Sequence, residues 1–472
     1  MALFQKDSTT ARSLILAGGG VRLAYHAGVL KALEEEGLSF NHVDGTSGGI
    51  FGTAMMASGI TPTEAGLRWR RLKLKGFMGI LPFKSYHRHQ ALHLFNGAEG
   101  IKRAIFPALG IDINRINANT TFDATFNVCN FSKKAVESIP HHSVTTDHLV
   151  AGLSLPMFIP ATKIGSDWYT DAVWIKDANL TGAVTKGAHE IWLIWCIGNT
   201  PEYHHGRFNE YVHMIEISAN AGLLNELVWI KNENINRVNA GISEVVLHII
   251  RPDYPLPLDP AFFFKKIDAD TLINMGYADT SLYLKERKPV DLKQPSTNTV
   301  MESCDATLHF RQQFYGAIDV AGIKQPACFH FAYFIRKKND HYVIQQYTSV
   351  ELTDRNTAIS GYDNVVTKTG KGAISASFYI RYENAVIKVA ALIELTNPVN
   401  FLLGMEIKWA MITITEPTGR SIETKYYQPA INRLRNAFHL NIDGDMPFVK
   451  KWKQNFVSTK PVTGAAFKNS RA

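Results

Sequence analysis

The sequence predicts an α/β domain followed by a β-rich domain, and three observations carry that prediction. Two strand–glycine–helix units follow one another before Gly59, buried-strand patterns then alternate with helical ones, and beyond about residue 300 the chain turns to runs rich in β-branched and aromatic residues. At 472 residues and 46% hydrophobic content, the chain is long enough for two cores, since a single core stops growing at roughly 250–300 residues.

The first unit reads as a strand at Leu14–Ala17, a loop at Gly18–Gly20 and a helix over Val21–Glu36 stopped at Gly37. The second reads as a strand at Phe40–Asp44 entering "GTSGG" (Gly45–Gly49), followed by a small-residue, buried helix ending near Gly59. Another helix starts at "TPTEA", where Thr61 is the N-cap, Pro62 takes the first helical position and Glu64 completes a capping box. "FDATFNVCNF" and "EIWLIWCIG" read as buried strands of a mostly parallel, layered sheet. A helix over Ile267–Lys288 closes this domain, residues 289–299 form a polar linker, and residues 300–472 form a β-rich domain ending in a basic tail.

Composition excludes several classes. Four cysteines (Cys129, Cys196, Cys304, Cys328) lie far apart, with no CxxC pair and no histidine cluster at ligand spacing, so neither a zinc site nor a disulfide framework is expected. The polar first twelve residues and the short run after them make neither a signal peptide nor a span, which needs about 20 apolar residues. A cytoplasmic protein, peripheral at a membrane at most, is the expectation.

"GTSGG" fits G-x-S-x-G, the nucleophile elbow, in which a sharp strand-to-helix turn exposes a serine oxygen between glycines that permit close backbone approach. Ser47 is then the candidate nucleophile, with Gly45 and Gly49 as the elbow glycines; the competing reading is an ordinary tight turn. Attack by Ser47 on an ester places negative charge on the carbonyl oxygen, and N–H donors at a helix start stabilise it. Gly18, Gly19 and Gly20 can supply such donors as an oxyanion hole. A dinucleotide-type phosphate loop is the alternative, but Gly18, Gly20 and Leu23 do not complete G-x-G-x-x-G, and no GK[ST] follows.

Taken together and in order, GGGVR (Gly18–Arg22), Gly45–Gly49 and "SLPMFIPATKIGSDWYTDA" (Ser154–Ala172) resemble the patatin-like phospholipase family over about residues 14–284. The resemblance implies a three-layer α/β fold with a mostly parallel sheet and a Ser-Asp dyad acting on lipid esters without metal or organic cofactor. By motif position Ser47 is the nucleophile, Asp171 its base, Gly18, Gly19 and Gly20 the oxyanion loop, and Arg22 the basic residue that follows the glycines. The chain departs from the pattern at Leu23, where the family has Gly, and at Ala172 and Val173, where it has two small residues. Asp177, six residues beyond Asp171, is the other acid to weigh.

The expected function is therefore a serine lipid acyl hydrolase of the phospholipase A or lysophospholipase type, with a phospholipid or other acyl ester as substrate. A non-catalytic lipid-binding or membrane-associated scaffold on the same fold is the alternative. A Ser-His-Asp esterase is disfavoured, because none of the 17 histidines has a catalytic context and Ser47 follows only two strands. Two stretches suit peripheral membrane contact: Leu67–Lys84, where basic and apolar residues interleave, and Lys450–Arg471, with six basic residues and no acid; the competing readings are core packing with a solvated basic face for the first and a solvated tail without a partner for the second. No nucleic acid is expected, since no recognition module accompanies the net charge of +8.

Overall fold

The computed structural model describes residues 3–4, 11–72, 97–156, 159–198, 201–253, 256, 268–295, 306–320, 323–338, 341–352, 357–369, 373–382, 385–394, 409–427, 441–443 and 456–457. Most of the Lys450–Arg471 tail, and the Leu67–Lys84 stretch from residue 73 onward, lie outside them. The chain divides into two compact units. One is built from described residues up to 256 together with 286–295, the other from 268–285 and 306–457.

The first unit is an α/β sandwich around an eight-stranded sheet. Its strands are β1 (Arg12–Leu16), β2 (His42–Thr46), β3 (Asp123–Asn130), β4 (Ala135–Pro140), β5 (Thr162–Ile164), β6 (Asp167–Asp171), β7 (Glu190–Ile194) and β8 (Val246–Ile250). The parallel core runs β3-β2-β1-β7-β8, and β4, β5 and β6 add antiparallel edges on the β3 side. "LIL" and "IWLI" are buried on both faces, as parallel strands between helical layers require. Ile15, Ile191, Leu193, Leu247 and Ile249 face α4 (Leu180–Thr185) and the 33-residue α5 (Arg207–Asn239), sharing a core with Ala219, Leu223, Leu227 and Ile230. On the other face α2 (Gly49–Ala57) rests on Leu16, beside α1 (Ala24–Glu35) and α3 (Pro62–Arg71). Three layers result.

Element boundaries follow local chemistry. Thr61 Oγ1 accepts the Glu64 N–H at 3.2 Å and Pro62 opens α3, but the Glu64 carboxylate accepts from Arg68 Nε at 2.9 Å, and only the Thr61 half of the expected capping box is formed. The helix expected from Val21 begins instead as a 3-10 turn, Gly20–Leu23, because Gly20 sits at φ 58° and the α-helix takes over only at Ala24. β2 lies two residues later than expected, which delivers Ser47 directly from the strand end.

One junction in the sheet decides the site. β4 pairs with β3 over Thr125–Asn130 and occupies one of its edges, so β2 and β6 share the other edge end to end. Thr46, the last residue of β2, stands opposite Asn127, and Asp171, the last residue of β6, stands opposite Val128. The two strands run toward each other and leave the sheet at adjacent positions.

The second unit is an antiparallel sheet that includes β9 (Ala306–Val320), β11 (His341–Leu352), β16 (Trp409–Thr415) and β17 (Ser421–Tyr427), and its main path runs β12-β11-β10-β9-β17-β16-β15-β14-β13. The first and last strands of that order, β12 (Thr357–Ser360) and β13 (Tyr362–Thr369), are separated in the chain by Gly361 alone, so the order returns to its starting point. Alternate residues point into one core: Phe329, Phe331, Tyr333 and Ile335 on β10 (Ile323–Lys338), Ile374 to Ile380 on β14 (Ala373–Tyr382), Ile387 to Ile393 on β15 (Ala385–Glu394). The helix expected to close the first domain, α6 (Ala269–Glu286), belongs almost entirely to this unit, where Asn274 accepts from Ser360 at 2.7 Å and Tyr277 meets the ring of Tyr362.

Candidate active site

Ser47 occupies the turn between β2 and α2 at φ 52°, in the left-handed region that costs a non-glycine residue about 1 kcal/mol or more. The packing of α2 holds it there. Gly49 lies directly on the Leu16 carbonyl, and a Cβ at Gly45 would collide with Thr53, so both expected elbow glycines are dictated by the close approach of helix and sheet.

Asp171 arrives from the opposite direction at the β2/β6 junction. Its N–H donates to Ser154 O at 3.1 Å, and its Oδ1 accepts the Val173 N–H at 2.8 Å, capping a 3-10 turn at Ala172–Trp174. Neither Ala172 nor Val173 needs positive φ, so the turn that aims Asp171 forms without glycine there. Burial pushes the Asp171 pKa up to about 7, against the opposing pull of the Ser47 hydroxyl and the Val173 N–H. Oδ2 has no hydrogen-bond partner among the described residues, and the Ser47 hydroxyl lies near enough to the carboxyl to favour its ionised form. No histidine meets Ser47 or Asp171 in the hydrogen bonds of the described residues. His26, in α1, is buried with both ring nitrogens unbonded, which drops its pKa to about 3.

The glycine loop lies beside the serine. A Cβ built on Gly18 would stand 2.8 Å from Ser47 Cβ, 3.1 Å from Ser47 Oγ and 2.5 Å from Asp177 Oδ1, so the serine and Asp177 flank the same backbone point. The Gly18 N–H itself donates to both oxygens of Asp177, at 2.9 and 3.0 Å, and is therefore committed inside the protein. Gly19 and Gly20, at the cap and first position of the 3-10 turn, carry N–H groups that the turn does not use. Arg22, the basic residue after the glycines, is buried. Its guanidinium donates to Cys196 O at 3.0 Å and faces Glu216 of α5 at 3.9 Å, tying the turn to the exit of β7. Leu23 packs against Gly48, the residue after the serine.

A buried polar network under the elbow escaped the sequence reading. Asn127 donates to Asp44 and, at 2.9 Å, to Thr46 Oγ1; Ser138 donates to Asn127 at 2.7 Å; Asn179, the N-cap of α4, donates to Asp44 at 3.0 Å. Burial raises the Asp44 pKa to about 7, opposed by its two asparagine donors. Asp44, an acid in the strand that leads to the serine and three residues before it, was the available signal. Among the described residues no group of three His, Cys, Asp or Glu side chains is arranged to hold a metal ion.

These features define a three-layer α/β fold with a mostly parallel sheet for the first unit. Residues 14–184 match the family model "Patatin-like phospholipase". Among solved structures, VipD from Legionella pneumophila is 12% identical over 60% of this chain and 70% of its own, with a TM-score of 0.29. A chain of the SpcU–ExoU complex from the type III secretion system of Pseudomonas aeruginosa is 13% identical over 61% of this chain and 58% of its own, with a TM-score of 0.25. No curated protein matches the sequence.

Proposed function

We propose that this protein is a serine lipid acyl hydrolase working through Ser47 and Asp171. The observation that carries the reading is the junction itself: a left-handed serine at the end of β2 faces a buried carboxyl at the end of β6, one of whose oxygens is unbonded. In this reading Asp171 takes the Ser47 proton as Oγ attacks the ester carbonyl carbon. Gly19 and Gly20 N–H groups stabilise the oxyanion, and the proton passes to the leaving alcohol as the C–O bond breaks. Water, deprotonated by Asp171, then releases the fatty acid from Ser47. A base with a pKa near 7 suits this cycle, since it is ionised in part at working pH and still basic enough to accept a proton.

The match of residues 14–184 to the patatin-like family supports a lipid ester as substrate. Peripheral membrane contact belongs to the same proposal, through Leu67–Lys84 or the Lys450–Arg471 tail, each basic residue there contributing about 1 kcal/mol near an anionic surface. Among the described residues no helix is long and apolar enough to cross a membrane.

The test is release of free fatty acid from mixed phospholipid vesicles by wild type, Ser47→Ala and Asp171→Asn, with folding checked by circular dichroism. Release by wild type alone supports the dyad. Silence from folded wild type, together with no fluorophosphonate labelling of Ser47, would leave the non-catalytic lipid-binding alternative.

A further inference from the structure

Asp177 has no part in the dyad, yet it lies fully buried beside it. Both hydrogen bonds it makes among the described residues come from one donor, the Gly18 N–H. A buried carboxyl with so little compensation is costly, and the nearby Asp171 carboxyl adds to the burial that drives its pKa well above the usual carboxylate range. A residue kept at such a cost invites a functional reason, and its geometry supplies one. Gly18 is the first residue of the loop, immediately after Ala17, whose N–H still bonds Ile194 O at 3.2 Å in the sheet. From Gly18 onward the backbone leaves the sheet, and Asp177 is the group that catches it. The catch falls beside Ser47, because Asp177 Oδ1 and Ser47 Oγ both lie within about 3 Å of the point a Gly18 Cβ would occupy.

We propose that Asp177 is a positioning residue for ester hydrolysis: by holding the Gly18 N–H it fixes the glycine loop and so sets where the Gly19 and Gly20 donors stand relative to Ser47. This rests on the hydrolase reading. Gly18 is then the loop's anchor and not an oxyanion donor, and the donors are the two amides that follow. Asparagine keeps an acceptor oxygen at the same place and preserves the anchor; alanine and leucine abolish it. Leucine also replaces a sparsely bonded buried acid by an apolar side chain of similar size, a change that buried sites often tolerate.

The experiment uses the full chain as wild type, Asp177→Asn, Asp177→Ala and Asp177→Leu, with Leu read in place of Ala if Ala does not fold. Two readouts are taken: kcat and KM on a soluble p-nitrophenyl acyl ester, and deuterium uptake at the Gly18 amide. Loss of one well-placed oxyanion donor costs roughly 10²–10³ in kcat. The expected result is therefore a kcat lower by about that factor in the Ala or Leu variant, with KM within about threefold. The Asn variant should stay within about tenfold of wild type, and Gly18 exchange should accelerate in Ala or Leu only. Wild-type kcat in a folded Ala or Leu variant overturns the proposal, as does unchanged Gly18 exchange. If wild type itself hydrolyses nothing and Ser47 resists fluorophosphonate, the hydrolase reading and the catalytic part of this proposal fail together, while accelerated exchange still reports the anchor. If wild type is active, Ser47→Ala is dead and the Asp177 variants are unaffected, only the Asp177 proposal fails.

Discussion

Replacing Asp171 by asparagine should stabilise the protein above neutral pH while abolishing ester hydrolysis. Burial pushes the carboxyl up to a pKa of about 7 in the folded chain, against an ordinary value of 3.8. Between those values the unfolded chain ionises this group and the folded chain does not, so folding stability is undiminished below about pH 4 and falls as pH rises to about 7. The slope is about 1.4 kcal/mol per pH unit, giving a loss of up to about 4 kcal/mol from this group by pH 8. Asparagine removes the loss. Its Oδ1 still accepts the Val173 N–H, and its amide can donate to Ser47 Oγ where Oδ2 had no aligned partner. Relative to wild type, Asp171→Asn should thus be near neutral at pH 4 and more stable by about 2–4 kcal/mol at pH 8. Urea denaturation at pH 4, 6 and 8, followed by tryptophan fluorescence, measures this; six of the eight tryptophans precede residue 260 and so report mainly on the first unit. A variant whose stability keeps the wild-type pH dependence, or falls at pH 8, refutes the account of Asp171 as a buried acid held largely un-ionised by its surroundings.

Other outcomes follow from the same geometry. With a soluble ester, kcat/KM should rise with pH and level off above an apparent pKa near 7, since Asp171 must be ionised to act as base; a flat profile from pH 5 to 8 counts against that role. Gly18→Ala places a methyl 2.5 Å from Asp177 Oδ1 and 2.8 Å from Ser47 Cβ, and should lower stability by about 1–3 kcal/mol in thermal denaturation and slow fluorophosphonate labelling of Ser47 at least tenfold. Asn127→Ala strips a donor from Asp44 and from Thr46 inside the core and should cost about 2–4 kcal/mol, measurable by urea titration at pH 8. Deleting Lys450–Ala472 should weaken flotation with anionic liposomes; unchanged flotation removes the tail as a membrane contact.

What was legible in the sequence is what short-range chemistry dictates. "LILAGGG", "GTSGG" and "TPTEA" each announce a strand end, a turn or a helix start within a few residues, and the structure builds each near its expected place. The parallel core and the later antiparallel sheet were readable for the same reason, since burial on both faces and on alternate positions leave different residue patterns. The contacts that organise the site were not. Gly18 and Asp177 are 159 residues apart, Arg22 and Cys196 174, and Asn179 and Asp44 135. Such pairings depend on which strands are neighbours and in what register, and no local spacing encodes that. The helix Ala269–Glu286 is ambiguous for a related reason: nearly every described residue from Thr271 to Leu284 is buried, so it shows no exposed face from which to tell its partner.

The segment from Asp171 to Asn179 explains why the site must be built as a whole. Within nine residues it supplies the carboxyl facing Ser47, the carboxyl that holds Gly18 and the amide that binds Asp44 beneath the elbow. Each contact breaks a local preference, through two acids buried without cations and an asparagine spent across the core as well as on its own helix cap. Costs of this kind cluster where geometry is used, and Ser47 adds a fourth at the same place with its left-handed backbone. A fold retained only as a lipid-binding scaffold has no need of two buried acids or a left-handed serine beside each other. Their joint presence therefore supports the hydrolase reading over the scaffold one, and in that reading a single short segment carries groups that point substitutions can separate.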